Sequence, residues 1–387
     1  MKRVFFEGYD DGRTRRLIGG GRFSVVYRLY GDEQTARGMA EDICTEQTVE
    51  FPVRLLPPGA IPQEIMGRVE DFRPEPESDG RYLATISFAD ETAAMELTQF
   101  LNVVFGNISI KRGIQVARIY PSDGIYSFLS GPRFGVSGLR GVVGVFDRPL
   151  LFTAIKPMGL SARDMAALAS RFAEGGVDVI KDDHGLTNQT FAPFEERVCR
   201  CADAVREANA KFGRKAIYVP NVTAPATQIM ARASHAKEMG AGGLLVTPGL
   251  VGLDAIRSLS GSDIGIPIFA HPAFIGSYAL GKEGIACDAL FGTLMRLSGA
   301  DATIFPNYGG RFPLSKTECL AIADAAREKL GTLKPIFPAP AGGMELRNVR
   351  EMTLSYGSDV LVLIGGGLFG IGQDIVANCR RFLDEVK

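Results

Sequence analysis

Between residues 151 and 386 the sequence alternates eight times between a short apolar run and a stretch with helical spacing, and this rhythm restricts the fold more than any other feature. The apolar runs cover residues 151–157, 177–182, 216–221, 243–248, 267–271, 302–306, 335–338 and 360–364. The stretches with helical spacing cover residues 161–174, 193–212, 226–239, 253–259, 286–297, 315–330, 345–356 and 372–386. Strands that alternate with helices in this way form a parallel sheet with crossover helices. Eight such units in about 240 residues favour a closed (β/α)8 TIM barrel over an open sheet.

The first part of the chain has a different pattern. Residues 22–29 and 82–88 alternate as half-buried strands do, and residues 32–44 and 93–105 have helical spacing. These segments predict a smaller α+β domain with a ferredoxin-like arrangement over residues 1–130, followed by the barrel over residues 131–387. The stretch 129–135, which contains proline and glycine, is the expected junction.

The charges of the chain nearly cancel, with 43 Lys and Arg against 44 Asp and Glu and a formal net charge of −1. Without a basic stripe interleaved with aromatic residues, we expect a small-molecule partner and no nucleic acid. The sequence contains no apolar run near the ~18 residues of a membrane span and no apolar signal-peptide core, so we expect a cytoplasmic protein without membrane attachment. The six cysteines form no CxxC pair, which favours reduced thiols over disulfides or structural zinc.

In a barrel of this type the chemistry lies where the strands end, and the end of the second predicted strand carries the sharpest pattern. Lys181, Asp183 and His184 leave a buried strand together, which is costly unless a ligand or a partner compensates their charges. A divalent metal would do so, and a buried lysine that takes up carbon dioxide as a carbamate would add an oxygen ligand. The structural alternative is a salt bridge between Lys181 and Asp182 or Asp183.

Other predicted strand ends supply further candidates. Lys156 lies at the end of the first predicted strand, Asn221 at the end of the third, where it is a candidate substrate ligand, and His271 at the end of the fifth. His271 is expected to bind substrate or transfer a proton, and the alternative is a buried histidine with its hydrogen bonds satisfied.

Glycine pairs follow the last two predicted strands, at Gly342 and Gly343 and at Gly366 and Gly367. Barrels commonly bind phosphate at these loops through backbone amides, because glycine lets the backbone approach the ligand. We therefore expect a phosphorylated substrate, with ordinary turns as the alternative.

Several short motifs, at a fixed spacing along the chain, resemble those of a known protein family. They are GPRFG at 131–135, RPLL at 148–151, IKP at 155–157, GGVD at 175–178, KDD at 181–183 and GGG at 365–367. Over nearly its whole length the chain resembles the large subunit of ribulose-bisphosphate carboxylase/oxygenase, and more closely the non-carboxylating RuBisCO-like proteins, also called form IV.

The resemblance implies an N-terminal α+β domain, a barrel, and active sites formed between two subunits of a homodimer or higher oligomer. It also implies that Lys181 is carbamylated, that Asp183 is a magnesium ligand and that Lys156 lies near the carbon where protons move. Glu46 falls in a segment that resembles the one completing a neighbour's site.

The departures from the carboxylase pattern are informative. His184 stands where the family has a glutamate as third metal ligand, so Mg²⁺ is expected but Mn²⁺ or another divalent metal becomes conceivable. Met158 replaces a second lysine, Pro272 replaces an arginine that holds phosphate, and Ala341 replaces a serine. The loop 308–315 also lacks the carboxylase's lysine. Carboxylation of ribulose bisphosphate is therefore not expected.

The remaining groups suit a reaction through an enediolate, in which negative charge that develops on a carbonyl oxygen is stabilised. The Lys-Asp-Asp-His variant resembles RuBisCO-like proteins of sugar-acid catabolism. The function that this resemblance favours most is that of a lyase or hydrolase. Its substrate would be a phosphorylated 3-oxo sugar acid of the 3-oxo-isoapionate 4-phosphate type, and the reaction would be decarboxylation, or transcarboxylation followed by hydrolysis. The alternatives are a methionine-salvage enzyme, namely 2,3-diketo-5-methylthiopentyl-1-phosphate enolase or methylthioribulose-phosphate isomerase, and a non-catalytic protein that binds a sugar phosphate.

Overall fold

A computed structural model of the protein describes residues 6, 9–76, 78 and 80–386. The chain divides into two compact units, Met1–Leu129 with Ser277–Ala289, and Ser130–Gly276 with Leu290–Lys387. In chain order, the strands are β1 (Arg22–Tyr30), β2 (Arg68–Pro74), β3 (Arg81–Ala89), β4 (Ile114–Tyr120), β5 (Leu150–Ala154), β6 (Val179–Lys181), β7 (Ile217–Val219), β8 (Leu244–Val246), β9 (Ile268–Ala270), β10 (Gly284–Ile285), β11 (Ala302–Pro306), β12 (Phe337–Ala341) and β13 (Leu361–Ile364).

The α-helices are α1 (Asp11–Leu17), α2 (Glu33–Glu46), α3 (Leu97–Phe105), α4 (Asp123–Phe128), α5 (Gly135–Val143), α6 (Ala162–Glu174), α7 (Phe194–Phe212), α8 (Ile229–Glu238), α9 (Pro248–Val251), α10 (Leu253–Ser260), α11 (Gly276–Ala279), α12 (Met295–Ser298), α13 (Lys316–Arg327), α14 (Leu346–Tyr356) and α15 (Ile375–Glu385). Short 3-10 turns cover Val53–Leu55, Asp90–Ala93, Asn107–Ile110 and Gly366–Phe369, and π-helical turns cover Ile61–Ile65 and Asp288–Leu294.

The first unit is built on a five-stranded sheet of order β10-β4-β1-β3-β2. Every second residue of β1 is buried, as the two-residue period of a strand requires when one face is covered. Phe23 on β1 contacts Phe88 on β3 and Phe100 on α3, with ring centroids 5.5 and 5.0 Å apart. Helix α2 also buries Ala36, Ala40 and Ile43, so the core of this unit lies between the sheet and the helices α2 and α3.

The predicted helix at 93–105 starts later than expected. Residues Asp90–Ala93 form a 3-10 turn, and Ala94 and Met95 have φ angles of 52° and 57°. A left-handed backbone cannot continue a right-handed helix, so α3 begins only at Leu97.

The second unit contains an eight-stranded parallel sheet of order β7-β6-β5-β13-β12-β11-β9-β8. A parallel bridge between Asn221 and Leu245 joins the regions of β7 and β8, the two ends of this order, so the sheet closes into a barrel. Its interior is filled by buried apolar side chains from the strands, among them Phe152 and Phe269 with ring centroids 5.6 Å apart. The predicted TIM barrel is confirmed.

Helices of the second unit start where sequence signals predict. Ser161 caps α6 by accepting a hydrogen bond from the backbone N–H of Asp164, and Ser315 caps α13 in a reciprocal capping box with Glu318. The predicted helix at 286–297 is instead a π-helical turn followed by α12. In the part of the chain that the structure describes, no helix has both the length and the apolar character needed to cross a membrane.

Candidate active site

Lys181 is the last residue of β6, and its side chain is almost completely buried at 2% exposure. Its Nζ donates a hydrogen bond to the carbonyl oxygen of Asp182 at 3.0 Å. Burial lowers the pKa of Lys181 to about 8, with the charge of Asp183 opposing this shift and that of Lys156 adding to it. A substantial fraction of this amine is therefore neutral at mildly alkaline pH, the state that reacts with carbon dioxide.

Asp183 lies at the centre of the candidate site. Its Oδ1 is 2.7 Å from Nζ of Lys156 and 3.5 Å from Nδ1 of His184. Burial raises the pKa of the Asp183 carboxyl, but hydrogen bonds from His184 and Lys156 and the charges of Lys181 and Lys156 outweigh it and hold that pKa well below its usual range. The side chain is thus an ionised carboxylate, as a metal ligand must be.

The two histidines predicted at strand ends meet in space. The rings of His184 and His271 stack with centroids 4.4 Å apart and planes at 9°. Burial and the positive charge of Lys181 lower the pKa of His271 well below its usual value, so its ring is neutral near pH 7. Because Nδ1 of His271 accepts a hydrogen bond from the N–H of Ala273 at 3.2 Å, the proton of the neutral ring resides on Nε2. His271 is therefore a potential hydrogen-bond donor.

Asp183 and His184 supply an oxygen and a nitrogen donor for a divalent metal. Across residues 6, 9–76, 78 and 80–386, no group of three or more His, Cys, Asp or Glu side chains is arranged to hold a metal ion. As an amine Lys181 does not complete the set, whereas a carbamate on its Nζ would add an oxygen. The residues present fit a divalent metal on condition that Lys181 is carbamylated.

Asp182 belongs to a separate buried network. Its carboxylate accepts hydrogen bonds from Tyr218 Oη at 2.7 Å, from Arg197 Nε at 3.1 Å and from the N–H of Asn221 at 3.0 Å. Arg197 also donates to the carbonyl oxygens of two loop residues, Ala192 and Thr187. The alternative ion pair of Lys181 with Asp182 or Asp183 is therefore not formed, because Asp182 pairs with Arg197 and Asp183 pairs with Lys156.

Asn221 is fully buried and hydrogen-bonded to the loop that follows β6. Its side-chain amide donates to the carbonyl oxygens of His184 at 2.9 Å and Leu186 at 2.8 Å, and its Oδ1 accepts from the N–H of Thr223. These bonds hold the loop that carries His184. Substrate binding by Asn221 stays a prediction.

The predicted phosphate loops differ in how much space they offer. Gly342 and Gly343 have φ angles of 88° and 80°, and a β-carbon on Gly343 would lie 2.6 Å from the Cα of Gly310. The loops after β11 and β12 therefore pack backbone against backbone. Gly367 is similarly tight against the carbonyl oxygen of Met344, whereas a β-carbon on Gly366 would meet no atom within 4 Å. Gly366 thus faces open space, and phosphate binding by these loops stays a prediction.

Glu46 ends helix α2 in the first unit. Its Oε2 is 2.8 Å from Nζ of Lys111, and its Oε1 accepts from Asn107 Nδ2 at 3.2 Å. The hydrogen bond from Lys111 is the main cause that lowers the pKa of Glu46. The predicted action of Glu46 in a neighbouring subunit is not tested by these contacts.

The sequence interpretation did not anticipate Arg197 and Tyr218. A usable signal was present, because Arg197 stands on α7 one residue before Val198 and four before Cys201, both of them fully buried. A charged residue on the buried face of a helix requires a buried partner of opposite charge or a buried hydrogen-bond acceptor. The third histidine, His235, borders a separate cavity of about 440 Å³ with Phe194 and Arg232.

Comparisons with known proteins agree with this architecture. Residues 135–310 match the family model of the ribulose bisphosphate carboxylase large chain, catalytic domain. The chain is 39% identical over 365 residues to ribulose bisphosphate carboxylase-like protein 1 of Rhodopseudomonas palustris, which covers 94% of this chain and 97% of the relative. A crystal structure of a RuBisCO-like protein from Rhodopseudomonas palustris has a TM-score of 0.85 at 38% identity and covers 95% of this chain and 97% of that one.

A further relative, named 5-methylthioribulose-1-phosphate isomerase, from Rhodospirillum rubrum, is 38% identical over 366 residues, which are 94% of this chain and 96% of the relative. The chain belongs to the ribulose bisphosphate carboxylase large-chain family. Within that family it is a RuBisCO-like protein and not one of the carboxylases, as the resemblance in its motifs predicted.

Proposed function

We propose that the protein is a metal-assisted isomerase of a phosphorylated, methylthio-substituted pentulose, 5-methylthioribulose 1-phosphate. The observation that carries the proposal is the contact of 2.7 Å between Nζ of Lys156 and the Asp183 carboxylate. The amine to which we assign the proton transfer thus lies directly beside the candidate metal ligand. The isomerase relative, similar over nearly its whole length, supports the choice of substrate.

In the proposed reaction a proton leaves a carbon next to the ketone, and a proton returns to the other carbon of the resulting enediolate, so that the carbonyl moves. A divalent metal held by Asp183, His184 and carbamylated Lys181 would supply positive charge for the substrate oxygens. Lys156, whose side chain is 40% exposed, removes and returns the proton as a neutral amine, which requires that it loses its own proton and leaves the ion pair with Asp183 when that carboxylate turns to the metal. His271 donates from Nε2 to the oxygen on which charge develops.

Decarboxylation of a phosphorylated 3-oxo sugar acid, ranked first from the sequence, shares the enediolate but requires no carbon-bound proton to be removed. The names of the relatives favour the isomerase and enolase alternatives over it, since another relative, from Geobacillus thermodenitrificans, is named 2,3-diketo-5-methylthiopentyl-1-phosphate enolase. We therefore place the proton shift first.

The test is to incubate the purified protein with Mg²⁺ and bicarbonate in deuterated water and to follow each substrate by NMR. We expect 5-methylthioribulose 1-phosphate to become an isomer that carries deuterium on carbon. Release of the carboxyl carbon from a 3-oxo sugar-acid phosphate, with the methylthio compounds unchanged, would contradict the proposal. If the protein binds the methylthio-sugar phosphates and the 3-oxo sugar-acid phosphates but converts neither, the non-catalytic alternative takes the place of this proposal.

The matched variant is Lys181→Ala, which removes the amine that would carry the carbamate. We expect loss of turnover with a circular dichroism spectrum like that of the wild type. Activity retained by this variant would rule out the carbamate role of Lys181.

A further inference from the structure

Met158 stands two residues after Lys156 and exposes 47% of its surface. A β-carbon built on Gly185 would lie 2.4 Å from the terminal methyl of Met158 and 3.8 Å from Oδ2 of Asp183. The thioether methyl of Met158 therefore lies directly over the backbone of Gly185, on the side that also faces the carboxylate of Asp183. Met158 can take this position only because residue 185 has no side chain.

The chemistry of Met158 differs from that of its surroundings. Lys156, Asp183 and His184, which are close to it in the chain or in space, are ionisable. A half-exposed methionine among such groups offers a polarisable apolar surface, and methionine adapts its shape to an apolar ligand. The place therefore suits the uncharged end of a substrate.

The strand order gives the direction in which a substrate would lie. In the sheet β13, β5 and β6 are consecutive neighbours, and they lead into Gly366, Lys156 and the Asp183–Gly185 loop respectively. Adjacent strands are about 4.8 Å apart, so the first and third of these loops start roughly 10 Å apart. That spacing is comparable to an extended five-carbon chain with a group at each end. A phosphate at Gly366 would place the middle carbons near Lys156 and the far end at Met158.

We propose that Met158 and the bare backbone of Gly185 form the subsite for the methylthio group of the substrate. This inference rests on the proposed function and adds the residue that selects the substrate's apolar end. Met158 is a specificity-determining residue, which acts by contact with the methylthio group and not in the proton transfer itself.

The test compares kcat/KM for 5-methylthioribulose 1-phosphate with kcat/KM for ribulose 1-phosphate, which carries a hydroxyl in place of the methylthio group. An apolar group in a complementary pocket contributes a discrimination of about tenfold or more. We expect Met158→Ala to lower the preference for the methylthio substrate about tenfold, mainly through KM. Met158→Leu, which keeps an apolar side chain of similar volume, should retain most of the preference.

Two further variants complete the experiment. Gly185→Ala keeps the methionine but pushes its terminal methyl away from the backbone of residue 185, so it should lower the same preference. Met230→Ala removes another partly exposed methionine, on helix α8, and should leave the preference at the wild-type value.

Equal losses for both substrates in Met158→Ala and Gly185→Ala would overturn the subsite. A wild-type protein that converts neither substrate would instead overturn the proposed function, so the two failures are distinguishable.

Discussion

At the scale of single residues, Lys181 is the group whose chemistry depends most on its surroundings. Burial brings its pKa down to about 8, whereas an exposed lysine has a pKa near 10.4. Only the neutral amine reacts with carbon dioxide, and the neutral fraction rises as the pH passes through the pKa. At constant dissolved carbon dioxide, we therefore expect the initial rate of carbamylation to rise with pH, with a midpoint near pH 8, and then to level off. The measurement is ¹³C NMR of the protein under labelled carbon dioxide.

The control for this titration is Lys181→Ala, in which the carbamate signal should be absent. A midpoint above pH 10 would mean that the signal comes from exposed lysines. A signal unchanged in Lys181→Ala would have the same meaning.

The sequence identified the residues of the second strand end but not the direction of each side chain. Side chains on an extended backbone alternate between its two faces, so Lys181 and Asp183 share a face while Asp182 takes the other. This alternation explains why Asp183 meets Lys156 and why Asp182 meets Arg197 and Tyr218. The partners of Asp182 could not be predicted, because Arg197 and Tyr218 come from α7 and β7 and meet it only after the barrel has formed.

At the scale of elements, the Asp182 network joins the end of β6 to α7 and β7. Tyr218→Phe removes a donor from a buried carboxylate and should lower the free energy of unfolding by about 1–3 kcal/mol. Asp182→Asn leaves Arg197 buried without its counter-charge and should cost more, about 3–5 kcal/mol. Urea denaturation followed by circular dichroism measures both values. Tyr120→Phe, at a half-exposed tyrosine of the first unit, is the matched control. A Tyr218→Phe variant as stable as this control would show that the network adds no stability.

The loops after β11 and β12 carry a second prediction at this scale. Gly343→Ala requires a left-handed φ of 80° and forces a β-carbon against the Cα of Gly310, so both loops must move. We expect a fall in kcat/KM of about tenfold or more, since small displacements of positioning loops are costly in catalysis. Gly366→Ala has room for the added carbon and should fold as the wild type does. Steady-state kinetics with parallel melting curves separate the two variants, and equal kinetics for Gly343→Ala and the wild type would show that the packed loops do not position substrate.

Periodicity located the eight barrel strands and most helices because each repeats its own spacing of apolar residues. It did not reveal where the backbone takes a left-handed conformation, as at Ala94 and Met95, or where a π-helical turn replaces an α-helix, as at Asp288–Leu294. These features depend on local backbone angles and packing that the apolar pattern does not encode. Element identity was therefore predictable, and several boundaries were not.

At the scale of the whole molecule, one segment within the barrel sequence belongs to the other unit. Residues Ser277–Ala289 group with the first unit, where Gly284 and Ile285 form β10 and pair in parallel with β4. The predicted domain 131–387 runs through this segment without a break. A two-residue strand is too short to produce an apolar alternation, so only the tertiary pairing reveals it.

The proposed homo-oligomer can be tested by mixing two defective variants. If Glu46 of one subunit completes the site of its neighbour, each active site takes Lys181 from one subunit and Glu46 from the other. Glu46→Gln and Lys181→Ala are then each inactive as pure proteins. In a symmetric mixed dimer one site then carries both defects and the other carries none. Random exchange of equal amounts should therefore restore about a quarter of the wild-type activity.

The matched control is Asp42→Asn, because Asp42 also pairs with Lys111, at 2.7 Å, and lies on the same helix as Glu46. Asp42→Asn should stay active by itself, which separates the loss of Glu46 from the loss of a contact to Lys111. A mixture that stays inactive after subunit exchange, verified by native mass spectrometry, would place Glu46 outside the neighbour's active site.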